Sequence, residues 1–263
     1  MLIDIHAHIL PGSSDGPETL KEAISMLKEA EDSGISGMVA TPRINVNKMI
    51  KDKYLLKQKK ILKKYNQLRD ITKKKGINMD IYRGSIVNFY PSLGRDLDKE
   101  LIPTINNSRY LLIEFPSKHI PEKCINVFYD LYHMGYKPII AHPEHNYDII
   151  KNPNILYDII SSDWALAQVN ASSLLGVYGS KVKKTAKLLI KNNLVQFIAS
   201  NYHSTKRKPS LQEGLKYINN ITGNASYFIE NSLKVISNDK IELLAPKKSL
   251  FMLPQIIKQT LSM

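Results

Sequence analysis

Two histidines near the start of the chain, His6 and His8, stand one residue apart directly after an apolar segment. Leu2, Ile3 and Ile5 are branched apolar residues typical of a buried strand. In an extended chain, residues i and i+2 point to the same side, so both imidazoles would project together from the strand end. Two converging neutral imidazoles are suitable ligands for Zn, Mn or Fe. The pair therefore predicts a metal site; the simpler alternative packs one histidine and solvates the other.

Further polar residues follow other apolar segments that would lie in the same sheet. Strands alternate with helices along the chain, which is typical of a parallel sheet covered by helices. Seven such units predict an α/β fold with a closed or nearly closed barrel, whose chemistry belongs at the carboxyl ends of the strands. The predicted strands are Leu2–Ile5, Gly37–Thr41, Met79–Gly84, Tyr110–Phe115, Pro138–Ala141, Ala165–Val169 and Val195–Ala199.

Carboxylates and histidines are the residue types that recur at these predicted strand ends. Asp15 lies in the loop after the first strand, and Glu114 ends the fourth. His142 and His203 follow the fifth and seventh strands. Such side chains gathered at one barrel mouth are what a multinuclear metal site needs, and packing alone explains them poorly.

Length and composition are those of one soluble α/β domain. The chain has 263 residues, 43% of them hydrophobic, and we expect a single domain over 1–263 because no linker or repeat divides it. The one cysteine, Cys124, excludes an intramolecular disulfide and fits a reducing compartment. No apolar run is long enough to span a membrane and no secretion signal is present, so a cytoplasmic protein is expected.

The whole chain carries a formal net charge of +13, and much of this positive charge is concentrated between Asn47 and Lys75. Apolar residues such as Leu55, Ile61 and Leu68 recur through this stretch and predict a helix with lysines around its apolar face. A solvated basic helix is the simplest interpretation; a docking surface for an acidic or phosphorylated partner is the alternative. No zinc finger, helix-turn-helix or RNA-stacking motif occurs, so nucleic acid is not an expected partner.

Six segments together resemble one known family. They are DIHAHILPGSSDGPET, VATP, RYLLIEFPS, PIIAHPEHN, ASSLLGVYG and FIASNYH, spread over residues 3–203. In order and spacing they resemble the polymerase-and-histidinol-phosphatase (PHP) superfamily, in particular the bacterial capsule-locus tyrosine phosphatases. The resemblance implies a distorted seven-unit β/α barrel with a three-metal site, usually filled by manganese. It also implies dephosphorylation of the tyrosine-rich tail of a partner kinase that controls polysaccharide export.

The resemblance also implies which residues hold metal and which positions depart from the family pattern. The implied ligands are His6, His8, Asp15, Glu114, His142 and His203. Five positions differ from the family: Arg43 replaces a histidine, Ile86 a metal-bridging glutamate, Asn88 an arginine, His145 the arginine thought to hold the substrate phosphate, and Asn201 an aspartate.

These replacements all make a three-metal site harder to assemble. Stacked dications stay together because carboxylates neutralise them, and positions 86 and 201 lack those carboxylates. Arg43 adds a permanent positive charge and cannot act as a ligand. Fewer than three metals are therefore expected, with one held by some of His6, His8, Glu114 and His142.

Three functional hypotheses follow. The first is a metal-dependent protein-tyrosine phosphatase with reduced or altered activity, in which His142, His145 or His203 acts as acid or base. The second is a non-catalytic regulator that binds the kinase's phosphotyrosines through Arg43 and His145. The third is a phosphatase for a small ester such as histidinol phosphate, which the LLIEFPS and ASSLLGVYG matches disfavour.

The C-terminal segment and the assembly state stay open. Phe251, Met252 and Leu253 would either cover the barrel or form a contact in a homo-oligomer, and the sequence does not choose between them.

Overall fold

Short parallel strands rich in branched apolar residues form two sheets in the computed structural model, which describes residues 1–13, 15–45, 51–206 and 209–249. Residues 47–50 of the predicted basic helix lie outside the described residues, as do Phe251, Met252 and Leu253. The strands are β1 (Ile3–Ala7), β2 (Gly37–Ala40), β3 (Arg43–Ile44), β4 (Asp80–Arg83), β5 (Ile86–Asn88), β6 (Tyr110–Glu114), β7 (Lys137–Ala141), β8 (Leu166–Asn170) and β9 (Phe197–Ala199).

All strand pairs in both sheets are parallel, which confirms the predicted α/β class. One sheet has the order β1-β2-β4 and the other the order β3-β5-β6-β7-β8-β9. The sheets adjoin where the His8 amide donates to the Tyr202 carbonyl oxygen at 2.8 Å, just beyond the ends of β1 and β9. A seven-unit barrel stays a prediction, because the strands belong to two sheets rather than to one continuous ring.

Two of the predicted strands, observed as β2 and β4, are each followed by a further short strand that was not predicted. Pro42, which has no amide hydrogen, separates β2 from β3, and Gly84 and Ser85 separate β4 from β5. The strands β3 and β5 pair with each other, so that Arg43 lies opposite Ile86. At each of these two points the chain passes from one sheet to the other. As a result, Arg43 lies beside Glu114 at the carboxyl end of β6.

Helices follow most strands, as predicted, with boundaries set by local capping. Helix α1 begins at Leu20, where Thr19 and Glu22 form a reciprocal capping box. Helices α3, α5, α7 and α10 were not predicted from the sequence. The helices are α1 (Leu20–Asp32), α2 (Lys51–Lys74), α3 (Leu93–Asp98), α4 (Cys124–His133), α5 (Tyr147–Lys151), α6 (Asn154–Ile160), α7 (Ala171–Leu175), α8 (Ser180–Lys191), α9 (Leu211–Thr222) and α10 (Ala225–Ser237).

None of the helices in the described part of the chain has the length and apolar character needed to cross a lipid bilayer. The longest, α2, carries ten Lys or Arg residues and two Asp residues in its 24 positions. It packs on the rest of the fold through buried side chains such as Tyr54 and Leu68.

Helix α9 packs very closely on the elements that carry the site, and Gly214 makes this possible. A Cβ atom at position 214 would lie 2.6 Å from Ile198 Cδ1 and 2.8 Å from Ala171 Cβ. We expect Gly214→Ala to destabilise the protein by about 1–3 kcal/mol, because a rigid core must open to admit the methyl group. The measurement is the midpoint of urea unfolding.

The control for this prediction is Gly94→Ala in α3. There the added Cβ would meet the flexible Met134 side chain, with the sulfur atom 3.2 Å away. The midpoint of that variant should stay near the wild-type value. An equal shift in both variants would contradict the close-packing argument.

Candidate metal and phosphate site

His6 is held by a hydrogen bond that determines which of its nitrogens is free. Its Nδ1 atom lies 2.9 Å from Gln168 Oε1, and Gln168 Nε2 donates to Asn170 Oδ1 at 3.0 Å. Because this second bond fixes the amide orientation, Gln168 presents an acceptor and His6 Nδ1 must carry the hydrogen. The His6 Nε2 lone pair is therefore unprotonated, and it is buried without a hydrogen-bond partner among the described residues.

Three other histidines lie close to His6 or to its neighbour His8. The ring centroids of His8 and His142 lie 5.3 Å and 5.7 Å from that of His6, and the ring of His203 lies 6.5 Å from that of His8. The Nδ1 atom of His8 is also buried without a partner in the described structure. Burial lowers the pKa of His6 to about 4 and the pKa values of His8 and His142 well below their usual range, so these rings are neutral at pH 7.

The backbone at the strand ends has specific features that aim these rings. His142 adopts a left-handed conformation with φ of 38°, and its amide donates to the Gln168 carbonyl oxygen at 2.7 Å. Asn201 is also left-handed, with φ of 50°, and its amide donates to the His6 carbonyl oxygen at 3.0 Å. The buried Asp4 carboxylate accepts a bond from the Ser200 amide, and burial raises the pKa of this carboxyl to about 6.

Arg43 occupies the acidic side of the same site. Its Nε atom donates to Asp15 Oδ2 at 2.6 Å, and its Nη1 atom contacts both Glu114 Oε2 and Asn88 Oδ1. All four side chains come from different segments: the loop after β1, β3, β5 and β6. The other oxygen of Glu114 lies 3.6 Å from His142 Nε2, so the arginine and histidine halves of the site meet at this carboxylate.

The residues present fit one metal ion better than three. His6 Nε2 and His8 Nδ1 are neutral, buried donor atoms without partners, which is the state that a metal ligand requires. Asp15 and Glu114 are instead paired with Arg43. Among the described residues, no group of three or more His, Cys, Asp or Glu side chains is arranged closely enough to hold a metal ion.

The other substituted positions supply no negatively charged ligand. Ile86 is fully buried in a cluster with Ile5, Val39 and Leu112, so it contributes to the core that underlies the site. Asn88 is exposed at the end of β5 and contacts Arg43. Asn201 contributes through its backbone hydrogen bond to His6.

His145 belongs to a second hydrogen-bonded cluster with Ser173 and Glu144. The Ser173 hydroxyl donates to Glu144 Oε1 at 2.7 Å, and His145 Nε2 lies 3.0 Å from that hydroxyl oxygen. Since the single hydroxyl hydrogen is already used, Ser173 accepts from His145 and Nε2 carries the ring hydrogen. Burial lowers the pKa of His145 to about 4, so the ring is neutral at pH 7 and Nδ1 offers a lone pair.

Glu144 reinforces this direction of the hydrogen bonds. Its Oε1 atom accepts from both the Ser173 hydroxyl and the Asn170 amide, the latter at 2.8 Å. Burial raises the pKa of Glu144 to about 7, but a proton would bind on Oε2, which has no partner among the described residues. Ser173 therefore donates to Glu144 in either protonation state of the carboxyl group.

Removal of the Ser173 hydroxyl should change the tautomer of His145. In the wild-type protein we expect a predominantly Nε2-protonated ring, and in Ser173→Ala a mixture of both tautomers, because the acceptor that fixes Nε2–H is lost. The measurement is the pair of ¹⁵N chemical shifts of the His145 ring. Ser172→Ala is the matched control, because the Ser172 hydroxyl bonds to Ser210 instead. A wild-type ring protonated on Nδ1 would contradict the assignment.

The structure thus brings His6, His8, His142 and His203 together, places Glu114 beside His142, and pairs Glu114 and Asp15 with Arg43. It places His145 5.6 Å from His142, measured between ring centroids. Two positioning residues, Gln168 and Ser173, were not predicted as site residues. Gln168 was visible as a polar residue in an otherwise apolar strand, whereas the Ser173 contact joins segments 28 residues apart and leaves no local sequence pattern.

Comparisons with known proteins support these assignments of fold and family. Residues 2–237 match the family model described as "Capsular polysaccharide synthesis, CpsB/CapC". The putative tyrosine-protein phosphatase CapC of Staphylococcus aureus is 36% identical over 251 residues, covering 93% of this chain and 95% of that protein. The tyrosine-protein phosphatase YwqE of Bacillus subtilis is 33% identical over 254 residues, covering 96% of this chain and 95% of that one.

A solved structure agrees with the sequence relatives. It comes from crystal structures of YwqE from Bacillus subtilis and CpsB from Streptococcus pneumoniae, described as unique metal-dependent tyrosine phosphatases. It superimposes with a TM-score of 0.87 at 33% identity and covers 94% of this chain and 99% of that chain. With the matching family model and relatives above 30% identity along almost the whole length, this chain belongs to the CpsB/CapC family of capsular polysaccharide synthesis.

Proposed function

We propose that this protein is a metal-dependent protein-tyrosine phosphatase that acts in capsular or extracellular polysaccharide synthesis. The observation that carries the proposal is the pair of buried, neutral nitrogens on His6 and His8, which have no partner among the described residues and lie beside a fixed arginine. The relatives' names, which describe tyrosine-protein phosphatases, support the substrate class and disfavour a small ester such as histidinol phosphate. The proposed setting is one cytoplasmic PHP-type barrel domain over residues 1–263, which acts on the phosphotyrosine tail of a bacterial tyrosine kinase.

In this proposal, His6 and His8 hold one divalent ion, manganese, with His142 and His203 beside them. When bound, such an ion supplies Lewis-acid activation of the phosphoryl group and of a water molecule. Gln168 keeps the His6 lone pair directed at the ion through the hydrogen bond to Nδ1. Asp15 and Glu114 hold Arg43 in place, and its guanidinium supplies hydrogen-bond donors for phosphate oxygens.

Proton transfer in this proposal falls to His145 and His203. Ser173 keeps the hydrogen of His145 on Nε2, so the neutral ring offers Nδ1 as a proton acceptor. His203 lies on the opposite side of the histidine group, next to His8. Because His145 is neutral at pH 7, it would contribute through its lone pair and not through positive charge.

The charge balance of the site disfavours the non-catalytic phosphotyrosine-binding alternative. Arg43 is paired with two carboxylates, Asp15 and Glu114, so this part of the site carries no surplus positive charge to attract a phosphate dianion. A divalent ion on the histidines would reverse that balance. Phosphate binding should therefore depend on metal, whereas the alternative requires binding that resists chelators.

The deciding experiment measures metal content and turnover on one sample. Protein purified without chelator is analysed for bound metals, and phosphotyrosyl-peptide hydrolysis is assayed with added manganese before and after chelation. We expect about one metal per chain and hydrolysis that chelator abolishes and manganese restores. A folded protein that shows no turnover with manganese, zinc or iron, or that binds phosphopeptide equally well after chelation, would overturn the proposal.

A further inference from the structure

A cleft of 300 Å³ lies beside Arg43 and is lined by three lysines of α2. Lys57, Lys60 and Lys64 are spaced three and four residues apart, so they lie on one face of the helix. The opposite wall comes from the loop after β1, including Gly12, and from Pro42 before β3. The cleft therefore joins the basic helix to the arginine at the candidate site.

The lysine charges in this cleft are not neutralised by carboxylates. Within the described structure, no Asp or Glu forms an ion pair with these three lysines. Lys64 donates to the Gly12 carbonyl oxygen at 2.8 Å, which positions the ammonium group but leaves its charge uncompensated. Clustered like charges repel one another, so their proximity favours an anionic occupant.

Arg43 also lines a second, larger cleft, which has a different character. Its volume is 620 Å³, and Phe89, Tyr90 and Phe115 are among its wall residues. A polypeptide that places a phosphorylated residue at Arg43 would thus have a cationic cleft on one side and an aromatic cleft on the other. The structure provides separate surfaces for the phosphorylated residue and for its neighbours in the chain.

We propose that the lysine cleft binds acidic residues that flank the phosphotyrosine in a peptide substrate. This inference rests on the proposed function, because it places the phosphotyrosine at Arg43. The cleft selects substrates by the charge of the flanking sequence. It therefore contributes to peptide affinity without taking part in the reaction on the phosphoryl group.

The test compares two phosphotyrosyl peptides that are identical except for acidic or amide side chains around the phosphotyrosine. Their affinities are measured by fluorescence anisotropy, which does not require turnover, at low and high salt. The variant is Lys57→Gln, Lys60→Gln, Lys64→Gln. The matched control, Lys59→Gln, Lys63→Gln, Lys73→Gln, removes the same charge from exposed positions outside the cleft.

We expect the cleft variant to bind the acidic peptide about tenfold more weakly than wild type at low salt, with little change for the neutral peptide. In the control variant, the loss of affinity for the acidic peptide should be less than half as large. Hydrolysis of p-nitrophenyl phosphate should stay unchanged in both variants. The inference would be overturned if both variants lost the same affinity for the acidic peptide. It would also be overturned if the cleft variant lost binding to anionic lipid vesicles but kept its affinity for the peptide. Failure of all phosphate hydrolysis would count against the proposed function alone, because the binding assay is independent of it.

Discussion

A His6→Gln, His8→Gln double variant is expected to lose its bound metal and about a hundredfold or more of its phosphotyrosyl-peptide turnover. These two side chains supply the buried lone pairs that have no partner in the described structure. Even outer-shell changes at metal sites typically cost about 10–100-fold in affinity or activity, and loss of two direct ligands should cost more. Metal content and kcat/KM with added manganese are the measurements.

Surface histidines provide the control for this double variant. His119 is well exposed, and a His119→Gln, His133→Gln protein should keep both metal and turnover, with the same number of histidines removed. Circular dichroism establishes that each protein is folded. If the His6 and His8 variant retains wild-type metal content and turnover, the histidine pair is not the metal site.

The second large effect concerns Arg43, whose replacement by histidine should raise the number of metals that the protein binds. The substitution removes a fixed cation. Asp15 and Glu114, which are paired with Arg43 in the wild-type protein, then become available as ligands. The new imidazole adds a neutral donor close to both carboxylates. Metal titration followed by elemental analysis should show about one additional manganese ion per chain, because repulsion between the ion and the guanidinium is gone.

Arg43→Lys separates the effect of charge from the effect of size. Lysine keeps a positive charge near Asp15 and Glu114 and cannot ligate while protonated, so metal content should stay at the wild-type value. Unchanged metal content in Arg43→His would show that the missing carboxylates at Ile86 and Asn201, and not the arginine, limit the number of ions.

The sequence predicted which residues meet at the site better than it predicted what they contact. The spacing of His6 and His8 correctly places their rings together, because extended geometry is local and regular. Glu114 also lies near a histidine, His142, yet Glu114 and Asp15 are both engaged by Arg43. Competition between a metal and an arginine for the same carboxylates depends on three-dimensional distances, which spacing along the chain does not encode.

Strand positions show a similar limit. The predicted strands lie close to the observed ones wherever a continuous apolar run exists, as in β6 and β7. The second and third predicted strands, Gly37–Thr41 and Met79–Gly84, match β2 and β4, but the short strands β3 and β5 that follow them in the other sheet were not predicted. These short strands depend on pairing with neighbouring strands, so they were not evident from Pro42, Gly84 or Ser85 alone.

The internal ion pairs of Arg43 have a consequence for how the protein is made. Many small metal-binding folds stay unfolded until the ion arrives, because the free energy of metal binding supplies the free energy of folding. Here the guanidinium links the loop after β1 to β3 and β6 from within the chain. We therefore expect newly synthesised protein to reach its folded state in a cell starved of metal and to bind its ion later, so that metal supply would control the activity and not the abundance of the protein.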